Sequence, residues 1–339
     1  MITIENLTKR FDKTIAVDDI SLKILDGEIF GLLGQNGAGK TTIIHMLATL
    51  LKPSSGTAKI NGYDIVRDSS KVRSSIGIVF QAPSSDDNLT GYENLKIHSI
   101  LYKVPKKDRT ERILTLLDLV GLKERKDDLV KKYSGGMRRR LELARGLLHK
   151  PKVIFLDEPT LGLDPNSRKS MWKYIQKLSN EEKITIILTT HYMEEADVLC
   201  DRIAFIDKGR IIETDTPEKL KSKVKQTSND QQNYNGDYIQ LNFKRPLDHN
   251  ILSNNLKILK SFEFIKKIKE SITENKCILD LYVQDINYNL PTILKSIDQI
   301  ESVEFSKFSL DDVFYALTDG QGKEKAEGGF MERYAKYDK

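Results

Sequence analysis

The chain has 339 residues, 39% hydrophobic and 30% charged, with 54 Lys and Arg against 49 Asp and Glu. This composition is typical of a soluble globular protein, and the length suggests two domains. Two cysteines and five scattered histidines exclude a disulfide framework and a spaced zinc site, so we expect a reducing, cytoplasmic environment. No apolar run approaches the roughly 18 residues of a membrane span. Any membrane-spanning part is therefore expected in another chain.

A glycine-rich segment lies between a predicted strand at residues 28–33 and a helix indicated by apolar spacing over residues 40–51. Its glycines allow a tight turn with inward N–H groups, and the helix dipole adds about half a positive charge. A triphosphate fits such a loop, with Lys40 reaching the β- and γ-phosphates and the Thr41 hydroxyl binding Mg²⁺. The nucleotide-binding residues predicted here are Gly34, Asn36, Gly37, Ala38, Gly39, Lys40, Thr41 and Thr42. A glycine turn beside a surface lysine is the alternative.

Three further strand-like runs end close to a residue able to contact the same ligand. Residues 75–80 precede Gln81, residues 153–156 precede Asp157 and Glu158, and residues 184–188 come shortly before His191. In parallel α/β sheets, ligands bind beyond the carboxyl ends of the strands. We therefore expect these four side chains at one edge of a parallel sheet.

The carboxylates of Asp157 and Glu158 follow a run typical of a buried strand, where unpaired charges are costly. Mg²⁺ would compensate for this cost, with Asp157 holding the metal through water and Thr41 and Gln81 as further metal ligands. Glu158 would polarise the attacking water as general base, while Gln81 and His191 position the metal, the water and the γ-phosphate. Taken singly, Gln81 is also typical of a solvated loop and His191 of a satisfied polar residue.

Ser134, Gly135 and Gly136 precede a second predicted helix that reaches about His149, and Ser134 suits its N-cap. A helix start with two glycines is a further anion site, although the first loop already encloses one phosphate tail. Another copy of the chain could supply the second ligand. A plain capped helix is the alternative.

The segment before Ser134 is predicted to be helical and, with the helix after it, to form a helical subdomain at about residues 88–150. Residues 226–236 are polar without an apolar period, which indicates a linker. Beyond the linker, strands are predicted near residues 238–243, 262–268, 276–283 and 303–308, and helices near residues 250–259 and 290–297. This order over residues 237–318 is that of a ferredoxin-like α+β domain, for which we expect a regulatory or dimer-supporting role. Residues 319–339 are predicted to be a flexible tail.

These motifs resemble the nucleotide-binding subunits of ABC transporters over about residues 1–220. The resemblance rests on the phosphate loop at residues 34–41, Gln81, the signature at residues 133–137, residues 157–160, Asp164 and His191. The signature's Tyr133 and Met137, the following Arg138, Arg139, Arg140 and Leu141, and residues 309–314 are similar to the daunorubicin-resistance-type exporter ATPases. Met137 cannot make the polar contact of the family's usual Gln. The implied fold is an α/β P-loop ATPase domain at residues 1–225 with a small C-terminal α+β domain.

The resemblance implies a Mg²⁺-dependent ATPase that dimerises head to tail. Each ATP would lie between the phosphate loop of one copy and Ser134, Gly135 and Gly136 of the other. It further implies that Phe11 stacks on adenine and that Asp164 crosses the dimer interface. Core packing for Phe11 and turn formation for Asp164 are the alternatives.

The expected function is ATP hydrolysis by a homodimer that drives export through a separate ABC-2-type permease, at the cytoplasmic face of the cell membrane. Residues 82–95 are the expected contact with that permease. One alternative is a soluble ABC-type ATPase that acts on nucleic acid or on a protein assembly. The translation-type members carry two ATPase halves and the chromosome-type members long coiled coils; this chain has neither, so no nucleic acid is expected. A second alternative is a binding module in which ATP serves mainly as a dimerisation switch.

Overall fold

The structure is a computed structural model that describes residues 1–82, 84–227, 237–243, 249–272, 277–306 and 309–319. The chain divides into two compact units, the first comprising Met1–Gln226 and the second beginning at Thr227. A helix extends two residues into the segment predicted as a linker, and residues 228–236 lie outside the described residues. The segment predicted as a tail lies outside them from residue 320 onward.

The first unit combines two sheets with helices. Its strands β1–β10 are Ile2–Phe11, Thr14–Ile24, Ile29–Leu33, Ser55–Ile60, Tyr63–Asp64, Ile76–Val79, Val153–Asp157, Thr185–Thr190, Arg202–Asp207 and Arg210–Asp215. Its helices α1–α8 are Lys40–Leu47, Ser69–Ser75, Gly91–Leu101, Lys106–Leu119, Gly135–Gly146, Pro165–Asn180, Met193–Leu199 and Pro217–Thr227. The α/β class predicted from the sequence is confirmed.

The larger sheet has the strand order β10-β9-β3-β8-β7-β6. Neighbours from β9 to β6 are parallel, and only β10 pairs antiparallel, with β9. Every residue of β3, β7 and β8 is buried, as expected for parallel strands covered on both faces. Because β3, β6, β7 and β8 run the same way, their carboxyl ends meet at one edge, which confirms the predicted placement of Gln81, Asp157, Glu158 and His191.

The second sheet of this unit is antiparallel, with the order β2-β1-β4-β5. One apolar core joins it to α1 and to the parallel sheet, through side chains such as Leu7, Ile43 and Phe155. Each such side chain contributes about 1.5–3 kcal/mol when fully buried. This packing fixes α1, and therefore the loop that precedes it.

Helices α3, α4 and α5 pack against one another and correspond to the predicted helical subdomain. Thr90 and Glu93 form a capping box at the start of α3, because each side chain accepts a hydrogen bond from the other's backbone N–H. In α4, Ile113, Leu116 and Leu117 are buried, as the apolar spacing predicts. The helical insert is thus anchored by its own caps and by one apolar face.

The second unit has the elements β11 (Asp237–Phe243), α9 (His249–Ser261), β12 (Ile265–Ile272), β13 (Cys277–Val283), α10 (Ile286–Ser296), β14 (Ile300–Ser306) and α11 (Leu310–Asp319). Its sheet has the order β12-β13-β11-β14, with all neighbours antiparallel. This confirms the predicted ferredoxin-like arrangement. The second strand begins three residues later than predicted, since the Ile265 N–H donates to the Phe262 carbonyl in a turn after α9. Across the described residues, no helix is long and apolar enough to cross a membrane.

Candidate functional site

The loop between β3 and α1 is fixed by the backbone on one side and open on the other. A Cβ atom at Gly34 would lie 2.2 Å from the Ile206 carbonyl oxygen, and one at Gly39 would lie 2.4 Å from that of Ala16. Gly39 also has a φ of +106°, which strains any residue with a side chain. Gly37 has a φ of +83° with nothing within 4 Å of its missing Cβ. The open side of the loop is therefore available to a ligand.

Lys40 is buried at the start of α1, and its ammonium group folds back on the loop. Its Nζ donates to the carbonyl oxygens of Gly34 at 2.7 Å and Gln35 at 3.0 Å. Burial lowers the pKa of Lys40, and the nearby carboxylates of Glu158 and Asp157 offset part of that effect. An ammonium group whose hydrogen bonds go to neutral carbonyls is well suited to exchange them for a phosphate oxygen.

Asp157 and Thr41 bring two oxygen ligands together beneath this loop. The buried Asp157 Oδ1 accepts hydrogen bonds from Thr41 Oγ1 at 3.2 Å and from Thr189 Oγ1 at 2.6 Å. Carboxylate and hydroxyl oxygens are hard ligands of the kind that Mg²⁺ prefers. The sequence analysis missed Thr189, whose position near the end of β8 carries no local signal for this contact.

Glu158 has a left-handed backbone conformation, with a φ of 48°. Its N–H donates to the Thr189 carbonyl at 3.2 Å and to Thr189 Oγ1 at 3.0 Å. A non-glycine residue in this region costs about 1–3 kcal/mol, and such strain concentrates at active sites. His191 Nδ1 lies 3.2 Å from Glu158 Oε2, but without the angle of a hydrogen bond. The strand end thus directs Glu158 and His191 to the same place.

A pocket of about 410 Å³ joins these parts. It is lined by Ala16, Asn36, Gly37, Gly39, Lys40, Thr41, Thr42, Gln81, Glu158, Leu161 and His191. Ligand pockets of about 300–1,000 Å³ are usual, so a nucleotide's phosphates fit in size and in polar lining. Gly34 and Ala38 lie within the loop behind this surface, and Asp157 reaches it through Thr41.

The pocket does not include Phe11, Ser134, Gly135, Gly136 or Asp164. The side chain of Phe11 is 45% exposed, with Lys9 Nζ 5.0 Å from the ring centroid, so it does not pack in the core. Asp164 caps α6, where its carboxylate accepts from the N–H groups of Asn166 and Ser167, both at 3.0 Å. Hydrogen bonds from Ser167 lower the pKa of Asp164. Turn formation is therefore the role that Asp164 has within one chain.

The signature segment starts α5 at the surface. Ser134 Oγ accepts from the Met137 N–H at 3.2 Å, so the predicted N-cap is confirmed. Gly135 is exposed and has nothing within 4 Å of its missing Cβ. A Cβ at Gly136 would lie 2.7 Å from Ser167 Oγ, which packs Gly136 against the start of α6.

A buried carboxylate joins α7, on which it lies, to α6 and to the segment after β7. Glu195 Oε1 accepts from Thr160 Oγ1 at 2.8 Å and from Trp172 Nε1 at 3.0 Å. Burial raises the pKa of Glu195, and the hydrogen bonds that it accepts offset part of the rise. The sequence analysis missed this residue, because the contacts come from α6 and from the segment after β7. Two further missed residues, Arg139 and Glu142, are buried on α5.

Comparisons with known proteins agree with this geometry. The family model described as ABC transporter matches residues 17–161. The daunorubicin/doxorubicin resistance ATP-binding protein DrrA of Streptomyces peucetius is 45% identical over 218 residues, which are 64% of this chain and 66% of that relative. The linearmycin resistance ATP-binding protein LnrL of Bacillus subtilis is 41% identical over 224 residues, 66% of this chain and 72% of LnrL. The daunorubicin resistance ATP-binding protein DrrA2 of Streptomyces coeruleorubidus is 35% identical over 321 residues, 93% of this chain and 94% of DrrA2.

Solved structures match the ATPase region. The chain of CbiO1 from Clostridium perfringens, part of the ABC transporter complex CbiONQ, superposes with a TM-score of 0.61 at 32% identity, covering 66% of this chain and 90% of that one. The ATP-binding cassette MJ0796, in a dimeric post-hydrolysis state with ADP and Pi, gives a TM-score of 0.58 at 26% identity, covering 64% and 98%. With the near-complete match to DrrA2, these findings establish that the chain belongs to the ABC transporter ATP-binding subunits of the daunorubicin-resistance type, a family of Mg²⁺-dependent ATPases.

Proposed function

We propose that this ATPase works as a homodimer at the cytoplasmic face of the membrane and drives drug export through a separate ABC-2-type permease. The observation that carries the proposal is the pocket in which the phosphate loop meets Gln81, Glu158 and His191. The relatives named for resistance to daunorubicin and linearmycin support export of a toxic compound.

In this proposal the pocket binds the phosphates of ATP. Lys40 exchanges the carbonyls of Gly34 and Gln35 for oxygens of the β- and γ-phosphates, so that the buried charge stays paired. The first N–H groups of α1 have no acceptor within the helix and turn toward the same phosphates. Thr41, Gln81 and Asp157 would hold Mg²⁺, which when bound neutralises charge on the phosphate oxygens.

Glu158 accepts a proton from the attacking water, and His191 helps to place that water and the γ-phosphate. Two hydrogen bonds from the Glu158 N–H to Thr189 hold the strained backbone, so the carboxylate does not have to reorganise for the reaction.

The homodimer is proposed because the signature segment lies outside its own pocket. Gly135 is exposed, has no positive φ and has nothing within 4 Å of its missing Cβ, so nothing among the described residues requires a glycine there. A phosphate bound to a second copy is a ligand that would require it, since a side chain at this position blocks close approach. MJ0796, which is dimeric in its post-hydrolysis state with ADP and Pi, supports the proposal that this chain also forms a dimer. Asp164 and the exposed ring of Phe11 would then contact the second copy and the adenine, respectively.

The permease is proposed to contact the helical subdomain. Ile97, Ile100 and Leu101 are 46%, 49% and 67% exposed and stand on one face of α3, at spacings of three and four residues. A group of exposed apolar side chains marks an interaction site more often than an ordinary surface. The polar segment at residues 84–90 precedes this face, so both would meet the permease.

The dimer is tested by substituting Ser134 in the Glu158→Gln background, where slow hydrolysis preserves bound ATP. We expect Ser134→Ala to bind ATP as a monomer but to lose ATP-dependent dimerisation, measured by light scattering. Thr216→Ala is the matched control, because the Thr216 hydroxyl likewise accepts an N–H of the first turn of a helix, from Lys219 of α8, a contact worth about 1 kcal/mol that involves no residue of the signature. Dimerisation by Ser134→Ala equal to that of the control would contradict the shared site.

Export is tested by co-purification after detergent extraction. A multi-spanning membrane protein should co-purify with the unaltered chain and be lost from Leu101→Asp, which charges the exposed face of α3. Turnover stimulated by DNA or RNA would instead favour an ATPase that acts on nucleic acid. A soluble ligand with slow turnover would favour the dimerisation switch.

A further inference from the structure

Arg139 lies on α5, five residues after Ser134, and its guanidinium group is buried. Its donors reach five carbonyl oxygens: Pro159 at 2.8 Å from Nε, Gln81 at 3.2 Å and Phe80 from Nη1, and Asp157 at 2.7 Å and Glu158 at 2.6 Å from Nη2. Arginine has five N–H groups in a fixed planar arrangement, and all five are used here. One side chain of α5 therefore joins the ends of β6 and β7.

Glu142, three residues later and on the same face of α5, is also buried. Its Oε1 accepts from the N–H groups of Ser84 at 3.1 Å and Ser85 at 2.9 Å, and the two serine hydroxyls donate to the same carboxylate. Arg145 lies 2.5 Å from its other oxygen. Glu142 thus holds the segment that follows Gln81, whereas Arg139 holds the backbone at Gln81 itself.

The geometry points to Arg139 and Glu142 as positioning residues that couple the signature helix to Gln81 and to the end of β7 in the same subunit. α5 is one continuous helix from the signature to these two side chains. When Ser134 and Gly135 meet a nucleotide on the second copy, α5 carries the displacement to Gln81, Asp157 and Glu158 of its own pocket. The inference rests on the proposed homodimer and adds a route by which binding at one site prepares the other.

The residue types fit this coupling better than a simple packing role. Lysine has three donors on a flexible stem and cannot reproduce five contacts in one plane. Burying a charge is costly unless its partners are all present, so a helix surface that needed only packing would be apolar. Arg139 instead bonds to the ends of β6 and β7, and Glu142 bonds to the segment after Gln81. Together these two opposite charges fix the position of those segments relative to α5.

The test compares Arg139→Lys and Glu142→Gln with Arg140→Lys. Arg140 is the matched control, because it is the next residue but donates to the carbonyls of Val120 at 3.0 Å, of Gly121 at 3.4 Å and, one turn back along its own helix, of Gly136 at 3.4 Å, and none of these bonds reaches Gln81 or the end of β7. We expect Arg139→Lys to keep its Kd for ATP within about threefold, because the phosphate loop is untouched, while kcat falls at least about tenfold. Arg140→Lys should keep both values near those of the unaltered chain.

Hydrogen exchange supplies a measurement that does not depend on turnover. ATP should slow exchange of the Ser84 and Ser85 amides in the unaltered chain and in Arg140→Lys, but not in Arg139→Lys or Glu142→Gln. Equal ATP-dependent protection in all four proteins would overturn the inference. The inference would also be overturned if the Arg139 and Glu142 variants lost ATP affinity, kcat and hydrogen-exchange protection along all of α5 together, because that pattern indicates a structural role only.

Two safeguards keep the outcome decisive. If Arg139→Lys does not fold, Glu142→Gln decides, because it keeps the shape of the side chain and removes only the charge. The proposed dimer is contradicted separately, by the finding that ATP causes no dimerisation of the Glu158→Gln chain. The coupling alone fails if that dimer forms and ATP-dependent protection of the Ser84 and Ser85 amides is the same in Glu142→Gln as in the unaltered chain.

Discussion

Two glycine-rich helix starts, at α1 and at α5, differ in what makes their glycines necessary. At α1, a Cβ on Gly34 or Gly39 would strike a backbone carbonyl of the same chain. At α5, Gly135 has a free surface and an ordinary backbone conformation. The first pair is required by the fold itself, whereas no contact among the described residues requires a glycine at the second position. The distances from each missing Cβ therefore distinguish glycines that the fold requires from a glycine that it does not require.

The same contrast extends to the side chains around each helix start. Lys40 and Asp157, near α1, are buried charges held by short hydrogen bonds within the chain. Ser134, at the start of α5, is exposed and makes only a cap contact. Chemistry is therefore expected to depend on the α1 side, and closure of the dimer on the α5 side.

The largest expected effect separates chemistry from closure. Glu158→Gln should lower steady-state phosphate release by about 10²- to 10⁴-fold, because it removes the proposed general base. ATP binding and ATP-dependent dimerisation should remain. Glu194→Gln is the control, since Glu194 is exposed on α7. Near-normal turnover of Glu158→Gln would remove this residue from the role of base.

The next largest effect concerns the glycines that the fold requires in the loop before α1. Gly39→Ala should lower the free energy of unfolding by about 2–4 kcal/mol, because it adds strain at a positive φ to a clash with the Ala16 carbonyl. Gly37→Ala has a similar φ but open space, so it should cost only about 1–2 kcal/mol. Urea denaturation measures both, and equal losses would mean that the close contact at Gly39 is not limiting.

Gly135→Ala tests the opposite side of the comparison. The free energy of unfolding should stay the same or rise by about 0.5–1 kcal/mol, since alanine favours a helix more than glycine does. In the proposed dimer, turnover should nevertheless fall at least about tenfold, because the added methyl group keeps the second copy's phosphate away from the N–H donors at this helix start, and such preorganised donors are worth about 10²–10³-fold each. Phosphate release at the normal rate would show that no ligand approaches this residue closely.

The smallest effect concerns the buried carboxylate of Glu195, which joins α7 to α6 and to the segment after β7. Burial raises the pKa of Glu195, so its stabilising contribution is fully present below the pKa of the unfolded chain, about 4.3, and is lost as pH rises through the raised value. Glu195→Gln removes this titration, and its free energy of unfolding should depend less steeply on pH above about 4.3. Urea denaturation at several pH values measures the difference between the two proteins. Parallel curves for the two proteins would show that the pKa of Glu195 does not change on folding.

Much of the fold is predictable because its signals are local. Short apolar runs followed by a polar residue indicate parallel strands that end at a site, and glycines between a strand and a helix indicate a phosphate loop. Alternating burial in β11 and β13 likewise follows from a period of two. The helix α11 was missed, although Ser309 and Asp312 form the hydrogen-bonded cap that Ser-x-x-Asp indicates.

The supporting contacts of the site were not predictable, because they join residues far apart in the sequence. Arg139 is one of three consecutive arginines, which alone would suggest a solvated surface, yet its partners lie 18 to 59 positions away. Thr189 contacts Asp157 from a neighbouring strand, and no residue near Thr189 in the sequence indicates this contact. Local patterns therefore identify the groups that face a ligand better than the groups that hold them.

The contact between Gly136 and Ser167 has a consequence for recognition. Ser167 also donates its N–H to Asp164, so the turn before α6 and the start of α5 form one continuous facet. A partner that meets this facet encounters a preassembled shape and orders little on docking, which lowers the entropic cost of association. Enlarging the residue at position 136 would disturb both halves of the facet at once, and with them two contacts that appear independent in the sequence.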